Sequence, residues 1–556
     1  MNVIKAVQHY VDKMIDDVPG MKALLLDIET TPIVSLVMTQ SALLTKECYL
    51  IDRVDNRNRG KMKHLKCICF LRPTPETIRY LIDELRDPAY GDYFLYFSNT
   101  MMKSDIERLA EVDEHEVVRE VQEYFGDYQA INPDFFSLGI PSSELFGDNM
   151  ESWNQSTFDQ TVRGISSVLL SLKKKPLIRY EGASVMAKRL AIEVQRNIKQ
   201  EGQLFDFRRP DTPPILLILD RRNDPITPLL TQWTYQAMVH ELIGIHHGRV
   251  DMSTVPDIRN ELKEIVLSPD QDPFFEKSMY LNLGDLGANI KQHVDEYQSK
   301  ANSNRNIESI ADMKRFVEEY PEFRKLSSNV SKHVALVSEL SRRVAQENLL
   351  RISEVEQGIA CNGNHSNDLK AVQQLIEDPN VDDQSKICLV LLYALRYESS
   401  PNNSIKALVG MLDNIGISEQ KTMLVPAILR YAGYRQRQDD LFSNQTFLSR
   451  SKSALKGLKG VENVYTQHTP LLGETLDQLI KARLKDTSYP SVDGTATMPR
   501  ERPQDIIVFM VGGATFEEAR YVAQLNASTP GVRIVLGGTC VHNAKSFLEQ
   551  ISQIQN

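Results

Sequence analysis

Three apolar runs that lie far apart in the chain set the strongest constraint on its fold. Ile215–Asp220 (ILLILD), Ile506–Val511 (IIVFMV) and Val532–Leu536 (VRIVL) show no alternation of polar and apolar residues. A strand of that kind buries both of its faces, and a sheet covered on both sides is the place where both faces can be buried. The three runs are therefore expected to share one sheet, with the long stretch between the first and the other two inserted into it. The expected fold class is α/β with a large helical insertion.

A second α/β rhythm occupies the N-terminal 130 residues. Short apolar runs at Ala23–Ile28, Cys48–Ile51, Cys67–Leu71 and Tyr93–Phe97 alternate with helical periods such as Pro32–Lys46. Buried strands joined by crossover helices produce this pattern, so an open, mostly parallel sheet is expected. Thr31 before Pro32 reads as a helix cap.

The insertion divides into two parts. From Trp233 to about Gln357 helices are expected, with a small β element where Glu264–Leu267 and Met279–Leu283 flank Pro269 and Pro273. From Asn364 to about Lys481 the period is again helical, as at Lys386–Arg396 and Ile405–Leu412, broken by loops at Cys361–Asn367, Ser399–Ser404 and Gln438–Ser453. Asp486–Gln504 has no apolar period and reads as a mobile linker. The expected domains are 1–131; 132–232 with 482–556; 233–360, carrying a helical hairpin; and 361–481.

Several function classes fall away on charge and motif. A net charge of −10 has the wrong sign for wrapping nucleic acid, and the longest basic run is Lys173-Lys174-Lys175, a solvated turn. The six cysteines form no C-x-x-C pair, which fits a reducing compartment, and the N-terminus lacks a secretory signal pattern, so a cytoplasmic location is expected. The best apolar stretch, Ile387–Leu395, is far below the roughly 20 residues that span a bilayer, so any membrane role is expected to be peripheral.

Two strand-to-helix loops carry the rival reading, a nucleotide-dependent α/β enzyme. Asp220 and Asp224 follow a buried strand, where such enzymes place carboxylates. The structural alternative pairs Asp220 with Arg221 and has Asp224 and Thr227 hold the turn. Gly512-Gly513 could cradle phosphate, yet no G-x-x-x-x-G-K-[ST] or G-x-G-x-x-G exists and Glu517 and Glu518 would repel an anion. Adjacent His246 and His247 do not share a helix face, and H-E-x-x-H and G-x-S-x-G are absent. No catalytic residue, metal ligand or cofactor is expected.

The strongest non-enzymatic pattern runs from Ile307 to Leu350. Ile310, Met313, Val317 and Tyr320 recur at 3-4-3 spacing, and beyond Pro321 a seam continues through Phe323, Leu326, Val330, His333, Val337, Leu340 and Val344. Proline lacks an amide donor and clashes with the preceding turn, so two helices meeting at Pro321 are expected. The seam can pack into its own domain or accept a foreign helix, and both readings stay open. Val334 and Leu336 add apolar area beside it.

The run from Asp220 to Leu242 (DRRNDPITPLLTQWTYQAMVHEL) resembles the signature of the SM family, the syntaxin-binding regulators of SNARE-mediated membrane fusion. Leu26–Ile33 with Thr39-Gln40-Ser41, Val511–Arg520 and Leu536–Thr539 match the same family, so the resemblance covers essentially the whole chain. Trp233–His240 and the N-terminal block look most like the vacuolar-protein-sorting branch that serves trans-Golgi and endosomal syntaxins. The resemblance implies a three-domain arch, no enzymatic activity, and binding of SNARE helices in a central cavity. Asp220, Arg221, Asp224, Pro228, Trp233 and Tyr235 would be structural signature residues. A pocket for a syntaxin N-terminal peptide would be formed by a helix and strand around Val118, Val121, Phe125, Tyr128 and Ile131. The Pro321-tipped pair would be the family's SNARE-templating hairpin. Implied partners are a trans-Golgi or endosomal syntaxin and the assembled SNARE bundle, with membranes reached only through partners at Golgi and endosome, and a monomer or one-to-one complex as the working form.

Overall fold

The computed structural model describes residues 1–305, 310–438, 440–442, 465, 467–494 and 502–555, with backbone alone over 302–305, 310–324 and 555. They form two compact units. The first comprises Met1–Asp220, Asp477–Ala514 and Val522–Val541; the second comprises Arg221–Leu476, Thr515–Tyr521 and His542–Asn556. The boundaries expected at 131/132 and 360/361 lie within these units.

The first unit opens with α1 (Val3–Asp16), whose Val3, Val7, Val11 and Met14 recur on one stripe and are fully buried. Five parallel strands follow: β1 (Lys22–Leu26), β2 (Cys48–Arg53), β3 (Met62–Leu71), β4 (Tyr90–Phe97) and β5 (Val118–Glu123), in the order β2-β1-β3-β4-β5. Alternate β1 residues enter different cores. Leu24 and Leu26 join α1 on one face, while Ala23 and Leu25 join Leu81 and Leu85 on the other. Strand β5 escaped the sequence reading because it is a polar edge strand, Val-Arg-Glu-Val-Gln-Glu, with only its neighbour β4 to pair with.

The expected helix Pro32–Lys46 is two helices, α2 (Thr30–Val37) and α3 (Gln40–Thr45), the second capped by Thr39. Thr31 is not the cap of α2. That function falls to Asp27, whose carboxylate accepts the Glu29 and Thr30 amides at 3.0 and 2.7 Å, while the Thr31 hydroxyl donates to the Asp27 carbonyl. Helices α4 (Pro75–Arg86) and α5 (Lys103–Val112) complete this part.

The split sheet forms as expected. Strands β6 (Gln129–Asn132), β7 (Phe135–Ser137), β8 (Leu177–Tyr180), β9 (Ile215–Asp220), β12 (Asp505–Val511) and β13 (Arg533–Gly538) lie in the order β6-β7-β13-β12-β9-β8, parallel except for β6. Ile506 is paired with Ile215 on one side and Ile534 on the other, so the three distant apolar runs are adjacent. All seven residues of β12 are buried, as a central strand requires. Helices α6 (Gln155–Ser171) and α7 (Val185–Gln200) cover the sheet.

The predicted linker Asp486–Gln504 is not a free tether over its first part. Tyr489 is buried, and the Arg179 guanidinium donates to the Leu484 and Tyr489 carbonyls at 3.2 and 2.9 Å and to Asp486 at 2.8 Å. Residues 495–501 lie outside the described residues, as do 439 and 443–453 of the expected loop Gln438–Ser453.

The second unit is mainly helical. Helix α8 (Tyr235–Leu242) precedes a two-stranded antiparallel element made of β10 (Arg249–Asp251) and β11 (Glu264–Val266). Met279–Leu283 is therefore not a strand; α9 (Pro273–Ser278) ends there and α10 (Leu283–Arg305) begins. Next come α11 (Ile310–Gln346), α12 (Leu349–Gln357), α13 (His365–Glu377) and α14 (Asp383–Tyr397). The apolar run Ile387–Leu395 is the heart of α14, buried on every side against α12, α13 and the helices Ile405–Asn414 and Leu424–Ala432. Among the described residues no helix is long and apolar enough to cross a membrane.

Pro321 does not separate two helices. Helix α11 runs unbroken from Ile310 to Gln346, and residues 306–309 lie outside the described residues. One missing amide and one steric clash cost about 3 kcal/mol. The other turns of a 37-residue helix keep their hydrogen bonds, and α10 packs alongside.

Candidate functional site

The signature run is a buried polar knot in the second unit. Arg221 is fully buried and its guanidinium meets Glu518 at 2.5 Å. Burial pushes the Glu518 carboxyl up against the pull of that guanidinium. Glu518 also closes a reciprocal cap with Thr515, accepting its amide at 2.9 Å while Thr515 Oγ1 accepts the Glu518 amide at 3.2 Å. Asp224 holds the turn by accepting from the Thr227 amide and hydroxyl, and it accepts the Leu471 amide at 3.1 Å. Burial would raise the Asp224 carboxyl, yet the Arg221 charge, His468 and these donors hold it below the usual range. Pro228 is buried in the 3₁₀ turn Thr227–Leu229.

The end of the run docks on α12 and α11. Trp233 Nε1 donates to Ser353 Oγ at 2.8 Å, and Thr231 donates to Glu356 through its amide at 2.8 Å and its hydroxyl at 3.1 Å. Tyr235 Oη lies 2.8 Å from His333 Nδ1. These groups fasten the chain to itself. Asp220 belongs to the first unit, where it accepts the Ser184 hydroxyl at 2.5 Å. Gly512 and Gly513 have φ of 85° and 95°, a left-handed geometry that accounts for both glycines. Among the described residues no group of three or more His, Cys, Asp or Glu side chains could hold a metal ion.

Glu356 has a measurable consequence. Burial pushes its carboxyl up from an ordinary 4.5 to about 7. The folded state thus holds this proton more tightly than the unfolded chain, and the associated stability is lost as pH rises from about 4.5 through about 7. Glu356→Gln removes the titration and keeps an acceptor for Thr231. Its thermal midpoint is expected to gain on that of the unaltered protein by a few degrees between pH 5 and pH 8; a constant difference across that range would contradict this account.

The hairpin residues divide by position. Met313, Val317, Tyr320, Pro321 and Phe323 lie where backbone alone is described. Leu326 and Val337 are half-buried, and Val330, His333, Leu340 and Val344 are buried within the unit. Over this stretch the seam packs into its own domain. Leu336 adds no free apolar area, since it is fully buried, whereas Val334 is exposed. Helix α10 packs beside α11, with Ser327 Oγ 3.4 Å from Tyr297 Oη.

The five residues expected to form a peptide pocket are scattered. No helix lies between Val118 and Ile131; the segment is β5, a turn and β6. Tyr128 is fully buried, 2.8 Å from Ser171 Oγ and edge-on to Phe136, so its ring lines no surface. Val118 packs on the core of one sheet face and Phe125 on the core of the other. Ile131 is half-buried in β6. Val121 is 43% exposed on the edge strand. Sequence reasoning missed two further exposed apolar residues, Met102 at the N-cap of α5 and Ile106 in its first turn. The Met101 amide donates to Glu123 Oε1 at 2.7 Å, which ties the beginning of α5 to the strand face that Val121 shares. The missed signal was Met102 and Ile106 at i, i+4, which with Leu109 at i+7 make one apolar stripe whose first two members stay exposed.

Known proteins resemble the chain over its whole length. The Sec1 family model matches residues 22–550. The vacuolar protein sorting-associated protein 45 of Homo sapiens is 55% identical over 553 residues, covering 99% of this chain and 96% of that protein. The protein of the same name from Schizosaccharomyces pombe is 49% identical over 554 residues, covering 99% of each. Among solved structures, the SM protein Vps45 in complex with the Qa SNARE Tlg2 (1-310) matches with a TM-score of 0.93 and 57% identity, covering 100% of this chain and 98% of the other. The Unc18–syntaxin 1 complex from Monosiga brevicollis shares the fold, with a TM-score of 0.80 at 19% identity.

Proposed function

The chain belongs to the Sec1 family, and from that premise we propose that it binds a syntaxin of the trans-Golgi and endosomal class and promotes SNARE assembly for vesicle docking and fusion. One observation carries the reading: similarity across the entire chain to a protein solved with a Qa SNARE, at 57% identity and a TM-score of 0.93. The chain works by presenting surfaces and performs no covalent chemistry. In the two loops that would serve a nucleotide enzyme, Asp220 accepts the Ser184 hydroxyl, Asp224 holds the turn with Thr227, and Gly512 and Gly513 take up a left-handed turn. Membrane association at Golgi and endosome comes through the anchored partner.

In this reading the syntaxin N-terminal peptide lies across the edge of the first sheet, on Val121 with Met102 and Ile106. SNARE helices lie along α10 and α11. Exposed apolar residues beside an edge strand favour an extended peptide with alternating side chains, because the strand offers unpaired amides and carbonyls and the side chains offer contact area.

Co-purification with a panel of Qa SNARE cytosolic domains, each with and without its N-terminal segment, tests the function. Retention of the trans-Golgi and endosomal class is expected, and failure to retain any of them would overturn it. Val121→Arg tests the placement. The side chain is far enough from the core to spare the fold, while an arginine pressed beneath an apolar peptide residue must lose hydration without a partner. Affinity for a fluorescently labelled Qa SNARE N-terminal peptide is expected to fall about tenfold or more; an unaltered affinity would place the peptide elsewhere.

A further inference from the structure

The tyrosine of the signature run touches the long helix α11 at a point where several independent contacts converge. His333 is fully buried, and both its ring nitrogens are engaged: Nδ1 with Tyr235 Oη at 2.8 Å and Nε2 with Asp272 Oδ2 at 2.8 Å. Burial holds the imidazole below its usual range. A neutral ring with its proton on Nε2 fits both contacts, because Nε2–H then donates to the carboxylate and Nδ1 accepts from the tyrosine.

Asp272 is itself immobilised. Its Oδ1 caps α9 by accepting the Phe274 and Phe275 amides at 3.1 and 3.2 Å, and its Oδ2 also takes Lys332 Nζ at 2.5 Å. Lys332 reaches on to the Val266 carbonyl of β11 at 3.2 Å. The Phe274 ring lies between His293 of α10 and His333 of α11, with centroids 4.5 and 4.6 Å away. Three turns further along α11, Arg343 donates to the Leu242 carbonyl at the far end of α8 and pairs with buried Glu339.

Tyr235 and Leu242 are the two ends of α8, and each is tied to α11, at His333 and Arg343. Contacts at both ends of a short helix resist sliding and rotation in a way that apolar packing alone does not, since hydrogen bonds are directional. A Tyr–His–Asp chain of this form resembles a catalytic relay, but the tyrosine and histidine are fully buried and no substrate reaches them.

We infer that α8 and Asp272 form a two-point clamp that fixes α11 from about Val330 to Val344 as a rigid base, making Tyr235 and His333 positioning residues for SNARE helices on the hairpin. Rearrangement of the hairpin is then confined to the part of α11 before Val330. The positioning half of this inference rests on the SNARE-binding reading above; the clamp itself does not.

Tyr235→Phe is the test, because it removes one hydroxyl and keeps the ring that packs edge-on to Phe275. Asp272→Asn is the second variant, keeping an acceptor for the α9 cap while removing the charge that holds Lys332. Hydrogen exchange on the full-length protein is expected to show amides of residues 330–344 opening about five- to tenfold more readily in either variant, with those of α14 unchanged. Binding of a soluble SNARE-motif helix is expected to weaken several-fold, while binding of the Qa SNARE N-terminal peptide stays the same. A merely structural lesion would lower both kinds of binding together. Unaltered exchange in both variants would overturn the clamp. Raised exchange with undiminished SNARE-helix binding would overturn the positioning role. If the unaltered protein binds no SNARE helix, the functional reading fails and takes the positioning role with it, while the exchange result still judges the clamp.

Discussion

Replacing Arg221 by alanine is expected to destabilise the second unit by about 3–5 kcal/mol, because it strands the Glu518 carboxylate in a site with no access to water. Both side chains of the pair are fully buried. The guanidinium also donates to the Asp224 carbonyl at 3.0 Å, so its loss leaves an acceptor in the signature turn without that donor. Glu518 would respond partly by taking up a proton, the direction in which burial already pushes it. That relieves the charge but sets the protonated acid against the Thr515 cap.

The soluble yield of Arg221→Ala should fall, and its thermal midpoint should drop by several degrees. A loss below about 1 kcal/mol would mean that the pair is relaxed by water or by other partners. Arg221→Met combined with Glu518→Leu separates the two components of the effect. Replacing both members with apolar groups of similar volume leaves no charge to strand, so the double variant should recover more than half of the loss. Failure to recover would show that the Thr515 cap, rather than the stranded charge, dominates.

This pair also marks where sequence reasoning stopped. The turn at Asp224 and Thr227 was legible because its partners are three residues apart. The acid that Arg221 engages lies 297 residues away, beyond any local rule. The same division runs through the fold. Strands Ile215–Asp220 and Asp505–Val511 announced themselves by unbroken apolar sequence, the signature of burial on both faces. Strand β5 did not, since an edge strand tolerates polar residues. Pro321 was read by its local penalty, and the helix continues through it. In the first unit, the pocket residues were placed by position from the family resemblance, with no sharp motif to fix them. Tyr128 and Phe125 turned out to serve the core, while Val121, Met102 and Ile106 are exposed.

Gly537→Val is expected to destabilise the first unit by roughly 3 kcal/mol or more through overpacking. Gly537 sits in β13 directly beside Phe136 of β7, in register, so both residues face the same side of the sheet. The end of the Phe136 ring occupies the volume a side chain would fill; an added Cβ would come within 2.0 Å of its Cζ. Retreat is blocked. Phe136 is buried, stacked on Phe509 with centroids 6.3 Å apart and edge-on to Tyr128 at 5.7 Å. A ring covering a glycine on the neighbouring strand also stabilises that strand, which explains a glycine inside a buried strand where it would ordinarily weaken the sheet. The adjacent Gly538 is small for another reason, since its Cβ would meet the Ala514 backbone nitrogen at 2.7 Å. The two substitutions should therefore respond differently to a second change. Trimming the ring with Phe136→Leu should restore more than half of the stability lost in Gly537→Val, measured as the thermal midpoint of the full-length protein, and should do nothing for Gly538→Val. Equal rescue of both, or of neither, would show that the ring does not set the limit at position 537.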